Sequence, residues 1–260
     1  MLRKNKATGK IWGIGAVSIM VGLLILLLML PCLLYAQDES GDNSNLNPTV
    51  KDKGFWDLLK AGGFVGWLIV LLSVVSLALI IQDFTTITRD KLCPPELVAE
   101  LEALVDEGQY EEALAVCSGN PNFFTNIIGN ALAKASEGYE AMVGSMEEAG
   151  EVEANKLNMK IGYLSLLGSI APMMGLLGTV TGMIGAFTVI EKEVSPSPAT
   201  LAKGVYEALV TTCEGLFVAI PVLAAFFVIK NKGGQLIIEI GIICGEFIGK
   251  FKNLQPAEKT

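Results

Sequence analysis

Thirty consecutive residues, Ile161 to Ile190, carry no charge. A helix needs about 20 apolar residues to cross a hydrocarbon core of ~30 Å, so this run can span a membrane with length to spare. Ala61–Gln82 is a second uncharged run. Gly204–Ile229 reads as a third span, although it holds Glu207 and Glu214. Lipid offers backbone groups no hydrogen-bond partner, so such segments must be helices or strands of a closed barrel. Their length selects helices. The fold class expected is therefore an all-α membrane protein with three long transmembrane helices, at 61–82, 161–190 and 204–229. A cytoplasmic helical domain at 83–160, a periplasmic loop at 191–203 and a cytoplasmic C-terminal helix and tail at 230–260 complete the core.

The chain starts with Arg3, Lys4, Lys6 and Lys10, followed by an uncharged run from Ile11 to Tyr35 and then Ala36. Residues 1–36 thus resemble a signal peptide, with an uncleaved anchor as the alternative because the apolar run exceeds an ordinary signal core. Residues 37–60 are a periplasmic polar linker ending in an interfacial helix around Phe55 and Trp56. Keeping residues 1–10 inside puts Arg89, Lys91, Lys156, Lys160, Lys230 and Lys232 inside as well, as the positive-inside tendency prefers. In the soluble part, leucines at 97, 101 and 104 share one helix face, and Gly108 breaks the pattern before the next helix. A helix from about Phe123 to Ala135 follows, and another enters the second span from Tyr139. Gly233–Gly234 are expected to weaken the helix that follows the third span.

Composition removes several chemistries. A net charge of −8 disfavours nucleic acid. The chain has no histidine, so the commonest general base and metal ligand is missing. Cys32, Cys93, Cys117, Cys213 and Cys244 form no CxxC pair. No metal or cofactor is expected, and no serine sits in a nucleophile motif, so an intramembrane hydrolase is a poor fit.

The stretch Gly168–Phe187, GSIAPMMGLLGTVTGMIGAF, is unusually rich in glycine. Gly168, Gly175 and Gly182 recur every seven residues, as do Gly178 and Gly185. At 3.6 residues per turn the two series make one seam, and Gly178/Gly182 form a small-xxx-small pair that admits a second helix closely. The third span offers Ala208, Thr212, Gly215 and Ala219 as a small-residue face to receive it. Pro172 and Pro221 belong with this packing set; Pro221 removes a backbone donor from its helix. Such a seam predicts a homo-oligomer. Thr179, Thr181, Thr211 and Thr212 supply hydroxyls, and Glu207 and Glu214 supply carboxyls seven residues apart on one face. Ionisable groups inside a membrane are costly and point to function. Glu207 lies near the outer end, within reach of water; Glu214 lies deeper.

The blocks APMMGLLGTVTGMIGAF and GVYEALVTTCEGLFVAIP, in that order on adjacent spans, resemble the MotA/TolQ/ExbB proton channel family, closest to the ExbB/TolQ branch. The resemblance implies three-span subunits in a pentamer around a dimeric ExbD- or TolR-like single-span partner. It implies a multi-pass protein of the bacterial inner membrane whose proton flow drives envelope machinery, with a TonB- or TolA-like protein as a further partner. Thr179 corresponds to the family's threonine of the GTV block, Thr212 to that of the third span, and Glu207 to its acidic residue. The family's proton-carrying aspartate belongs to the partner. Glu214 departs from the pattern, standing where the family often has an apolar residue. A scaffold that keeps the fold without conducting is the alternative function.

Overall fold

The computed structural model describes residues 62–192 and 197–253. The expected signal or anchor, the polar linker with its interfacial helix, and residues 193–196 of the expected periplasmic loop lie outside the described residues. Seven α-helices are described: α1 Gly63–Thr86, α2 Arg89–Leu92, α3 Pro95–Asp106, α4 Tyr110–Gly119, α5 Phe123–Ala133, α6 Tyr139–Lys192 and α7 Pro198–Gly249. Short 3₁₀ turns occupy Ala135–Glu137 and Lys250–Asn253. No strand occurs among the described residues. α1, α6 and α7 are each long and apolar enough to cross a membrane. This is an all-α, multi-pass membrane protein.

The chain divides into two compact units. The first combines the described residues up to Ile80 with Leu164–Ala225. It holds most of α1, the second half of α6 and the first half of α7. Ile69, Ser76, Leu164, Ala171, Ala208, Thr211 and Ala219 are buried between these helices. α1 turns Phe64, Trp67, Leu71 and Val74 outward, as suits a helix facing hydrocarbon. Ser76 bonds back to the Leu72 carbonyl at 2.7 Å, so its buried hydroxyl is satisfied within its own helix. α7 runs unbroken through Pro221. Proline has no N–H for the Phe217 carbonyl, and a small notch opens there, lined by Phe217, Pro221 and, from α1, Ser73 and Leu77.

The second unit combines Ile81–Tyr163 with the residues from Phe226 onward. Pro95 opens α3 at a position where its missing N–H costs nothing. Gly108, at φ +79°, makes the turn into α4 that a β-carbon would resist. Asn122 caps α5: its side chain accepts from the Thr125 N–H at 2.9 Å, while the Thr125 hydroxyl oxygen accepts from the Asn122 N–H at 2.9 Å. The core joins Leu101, Phe124, Ile128 and Met142 to Ile240, Cys244 and Phe247 from the end of α7. Phe124 and Phe247 meet edge to face, ring centroids 6.1 Å apart.

One expectation needs correcting. The helix does not weaken at Gly233–Gly234; α7 continues to Gly249. A β-carbon on Gly233 would stand 3.1 Å from Ile161 and 3.8 Å from both Ile87 and Leu157. Gly233 is thus a close-packing position, and α7 stays helical despite a glycine penalty of about 1 kcal/mol.

Candidate functional site: the α6–α7 seam

Within the first unit α6 and α7 pack antiparallel through their small residues. A methyl group built on Gly168 would stand 2.8 Å from Leu223; one on Gly182 would stand 3.0 Å from Ala208. At the middle the backbones themselves meet. On Gly175 it would lie 3.0 Å from both the Thr211 carbonyl oxygen and the Thr212 Cα, and on Gly215 it would lie 2.6 Å from the Ala171 carbonyl oxygen. Gly178 faces the side chain of Thr211 with no room for a β-carbon. Gly204 continues the contact against Ala186. Gly185 is different: a β-carbon there would meet nothing within 4 Å. Pro172 is half-buried inside α6, one residue after Ala171 of this contact. The glycines therefore bring two helix axes close enough for backbone contact, which lipid-facing residues could not do.

This closeness sets the hydroxyl chemistry. Thr212 donates across to the Gly175 carbonyl at 3.1 Å. Thr211, fully enclosed, donates to Ala208 in its own helix at 2.8 Å. Thr179 donates to Leu176 at 2.7 Å and Thr181 to Leu177 at 2.9 Å, also within their helix. Each hydroxyl keeps its acceptor lone pairs free for a further donor.

The carboxyls stand apart. Glu207 faces Lys203 one turn earlier, at 3.8 Å, with both side chains substantially exposed. Such an exposed pair contributes little stability. Glu214 is half-buried, and its Oε2 is enclosed with no hydrogen-bond partner. The hydroxyls of Thr211 and Thr212 are both committed to backbone carbonyls. Its neighbour is instead the turn before α1: a β-carbon on Gly62 would stand 3.2 Å from Oε2. Among the described residues no hydrogen bond joins Thr179, Thr212, Glu207 and Glu214 to one another. Nor do these residues include three or more His, Cys, Asp or Glu placed to hold a metal.

One residue escaped the sequence reading, and Thr211, singled out there only for its hydroxyl, has a packing role as well. Thr211 fills the space left by Gly178; its signal was a helical step of three from Ala208 on the same small-residue face. Asp83, in the second unit, is 2% exposed and its Oδ2 has no hydrogen-bond partner. It sits one residue beyond the uncharged run, where a charge normally reads as the return to water.

Residues 118–241 match the sequence model of the MotA/TolQ/ExbB proton channel family. A putative biopolymer transport protein ExbB homolog of Methanothermobacter thermautotrophicus is 26% identical over 188 residues, 72% of this chain and 67% of that one. The Tol-Pal system protein TolQ of Pseudomonas aeruginosa is 33% identical over 108 residues, 42% of this chain and 47% of that one. The biopolymer transport protein ExbB of Xanthomonas campestris pv. campestris is 38% identical over 102 residues, 39% of each chain. The chain thus spans under half the length of the last two relatives. Among solved structures, one chain of C. jejuni MotAB aligns with 91% of this chain and 96% of its own, at a TM-score of 0.45 and 19% identity. That likeness is too loose to bear on function or assembly.

Proposed function

We propose, for a chain that belongs over residues 118–241 to the MotA/TolQ/ExbB proton channel family, that it is the proton-channel subunit of an inner-membrane energy transducer. In this reading it couples the proton motive force to envelope transport or envelope maintenance. It acts as a homo-oligomer, a pentamer by family resemblance, around an ExbD/TolR-like single-span protein, with a TonB/TolA-like protein as the recipient of the work. Residues 83–160 are cytoplasmic and the α6–α7 turn is periplasmic.

The observation that carries the proposal is the close-packed α6–α7 seam with Thr212 bonded across it. The seam fixes α7 rigidly, so Thr212 and the carboxyls of Glu207 and Glu214 occupy set heights along the span. Glu207 at the outer end receives protons from water. Thr179 and Thr212, with acceptor lone pairs free, hold the partner's protonated carboxyl or ordered water as it passes. Glu214 is a second carboxyl on the same path, its Oε2 enclosed without a hydrogen-bond partner. The alternative, a non-conducting scaffold, draws support from the commitment of all four threonine hydroxyls to backbone carbonyls.

Proton flux into liposomes holding the chain with its single-span partner separates the two. The transducer reading expects flux in the native complex, lost in Glu207→Gln and Thr212→Val at unchanged oligomeric size. A native complex that assembles and passes no protons would leave the scaffold.

A further inference from the structure

Pro221 sets one carbonyl of α7 apart from the rest. In a helix each carbonyl accepts from the N–H four residues on. α7 stays helical through Pro221, which has no N–H to give the carbonyl of Phe217. Both residues belong to the third span, where hydrocarbon supplies no donor and an unmade backbone bond is costly. A donor for this carbonyl has to come from outside the ladder of α7.

The neighbouring helix brings a hydroxyl to the same place. Ser73 of α1 lines the notch at Pro221, with Leu77 and Ile80 beside it and Phe217 and Val218 across on α7. These parts of α1 and α7 lie within the first unit. Ser76, three residues on, bonds back to the Leu72 carbonyl at 2.7 Å, the usual recourse of a serine inside a membrane helix. Ser73 is half-buried too, and its hydroxyl makes no hydrogen bond among the described residues. The notch thus joins a carbonyl deprived of its donor to a hydroxyl without a partner, and its other side chains are all apolar. It has room for about one water molecule.

We propose that the notch is a binding site for one ordered water, which donates to the Phe217 carbonyl and accepts from the Ser73 hydroxyl. Its second proton goes to the spare lone pair of a neighbouring carbonyl, which completes the three bonds usual for a buried water. An apolar guest would leave both polar groups unsatisfied, and a larger polar one does not fit. Such a bridge is nearly as good as a direct hydrogen bond. It ties α1, which supplies none of the threonines or carboxyls of the α6–α7 site, to the helix that carries Thr212 and Glu214. The inference does not depend on proton conduction by the chain.

Hydroxyl-radical footprinting by X-ray pulses, on the full chain in lipid nanodiscs, tests it. The radicals form from water, so a side chain beside an ordered water is modified and one that meets only hydrocarbon is spared. Leu77, on the notch, should be modified several-fold faster than Leu71, the same side chain on the outward face of the same helix. The excess should vanish in Ser73→Ala, which removes one partner of the water. It should vanish as well in Pro221→Ala, which returns an N–H to the Phe217 carbonyl. Equal rates at Leu77 and Leu71 in the native protein would overturn the proposal. So would an excess that survives both substitutions, since that marks bulk water entering from a membrane surface. A double-mutant cycle in thermal denaturation adds a second reading, in which Ser73→Ala lowers the melting temperature only while Pro221 is present. That coupling without modification of Leu77 would mean that Ser73 bonds the carbonyl directly, and would rule the water out.

Discussion

Thr212 on α7 donates its hydroxyl proton to the carbonyl oxygen of Gly175 on α6, 3.1 Å away. The bond exists because a glycine on each helix, Gly175 and Gly215, lets the backbones touch. Thr212→Val keeps the shape and removes the donor. Bonds between membrane helices contribute about 0.6 kcal/mol on average, so the oligomer should survive. Proton flux should fall if the hydroxyl also serves a passing carboxyl, and Thr212→Ser should restore it. Equal flux in the valine and serine variants would confine Thr212 to packing.

The glycines of the seam should not be equivalent. Gly215→Ala places a methyl against the Ala171 carbonyl, and overpacking of that kind costs roughly 1–3 kcal/mol. Gly185→Ala enters open space and should be neutral within the subunit. Thermal denaturation of the purified protein in mild detergent compares them. Equal melting temperatures would show that the contact relaxes freely.

Cys93 and Cys117 are buried inside the second unit, 3% and 4% exposed. They should resist thiol reagents from either side of the membrane, so sidedness must be read at exposed positions. Ala115→Cys should be protected in intact cells from an impermeant maleimide, and Ala199→Cys should be labelled. The reverse pattern would invert the proposed topology.

Burial also pushes the Cys117 thiol up to about 11. At pH 8 about a thousandth of it is thiolate, against roughly a quarter for an ordinary thiol near 8.5. In a variant keeping only Cys117, the labelling rate should rise about tenfold per pH unit from 7 to 10. A plateau near pH 8.5 would mean that the site opens to water.

Phe247 is 1% exposed and lies against Phe124 at the centre of the second unit. Phe247→Ala should cost about 3–5 kcal/mol. The double variant with Phe124→Ala should cost less than the two separate losses combined, because the pair is shared. Strict additivity in a double-mutant cycle would show that the rings act independently.

The spans were legible because lipid imposes a severe rule, and an uncharged run long enough to cross can hardly be anything else. The glycine seam and its small-residue counterpart around Ala208 and Gly215 were legible because both recur at helical spacing. Hydrogen-bond partners were not. Periodicity places Thr179 and Thr212 on their helices, but a threonine bonding back to its own carbonyl and one bonding across look alike in sequence. The neighbour of Glu214 was hidden as well, since Gly62 belongs to a distant part of the chain. Gly233 misled for the opposite reason: propensity counts what glycine costs a helix, and only the fold shows the close approach of Ile161 that it permits.

The contact of Gly175 with Gly215 leaves no slack for inheritance to exploit. Elsewhere in a core, a larger residue on one side is rescued by a smaller one opposite. Here a β-carbon on Gly175 would meet backbone, the Thr211 carbonyl and the Thr212 Cα, so no smaller side chain on α7 can accommodate an alanine at Gly175. A suppressor of that lesion has to move a helix axis, and a genetic screen for such suppressors would trace the residues that set the spacing of α6 and α7.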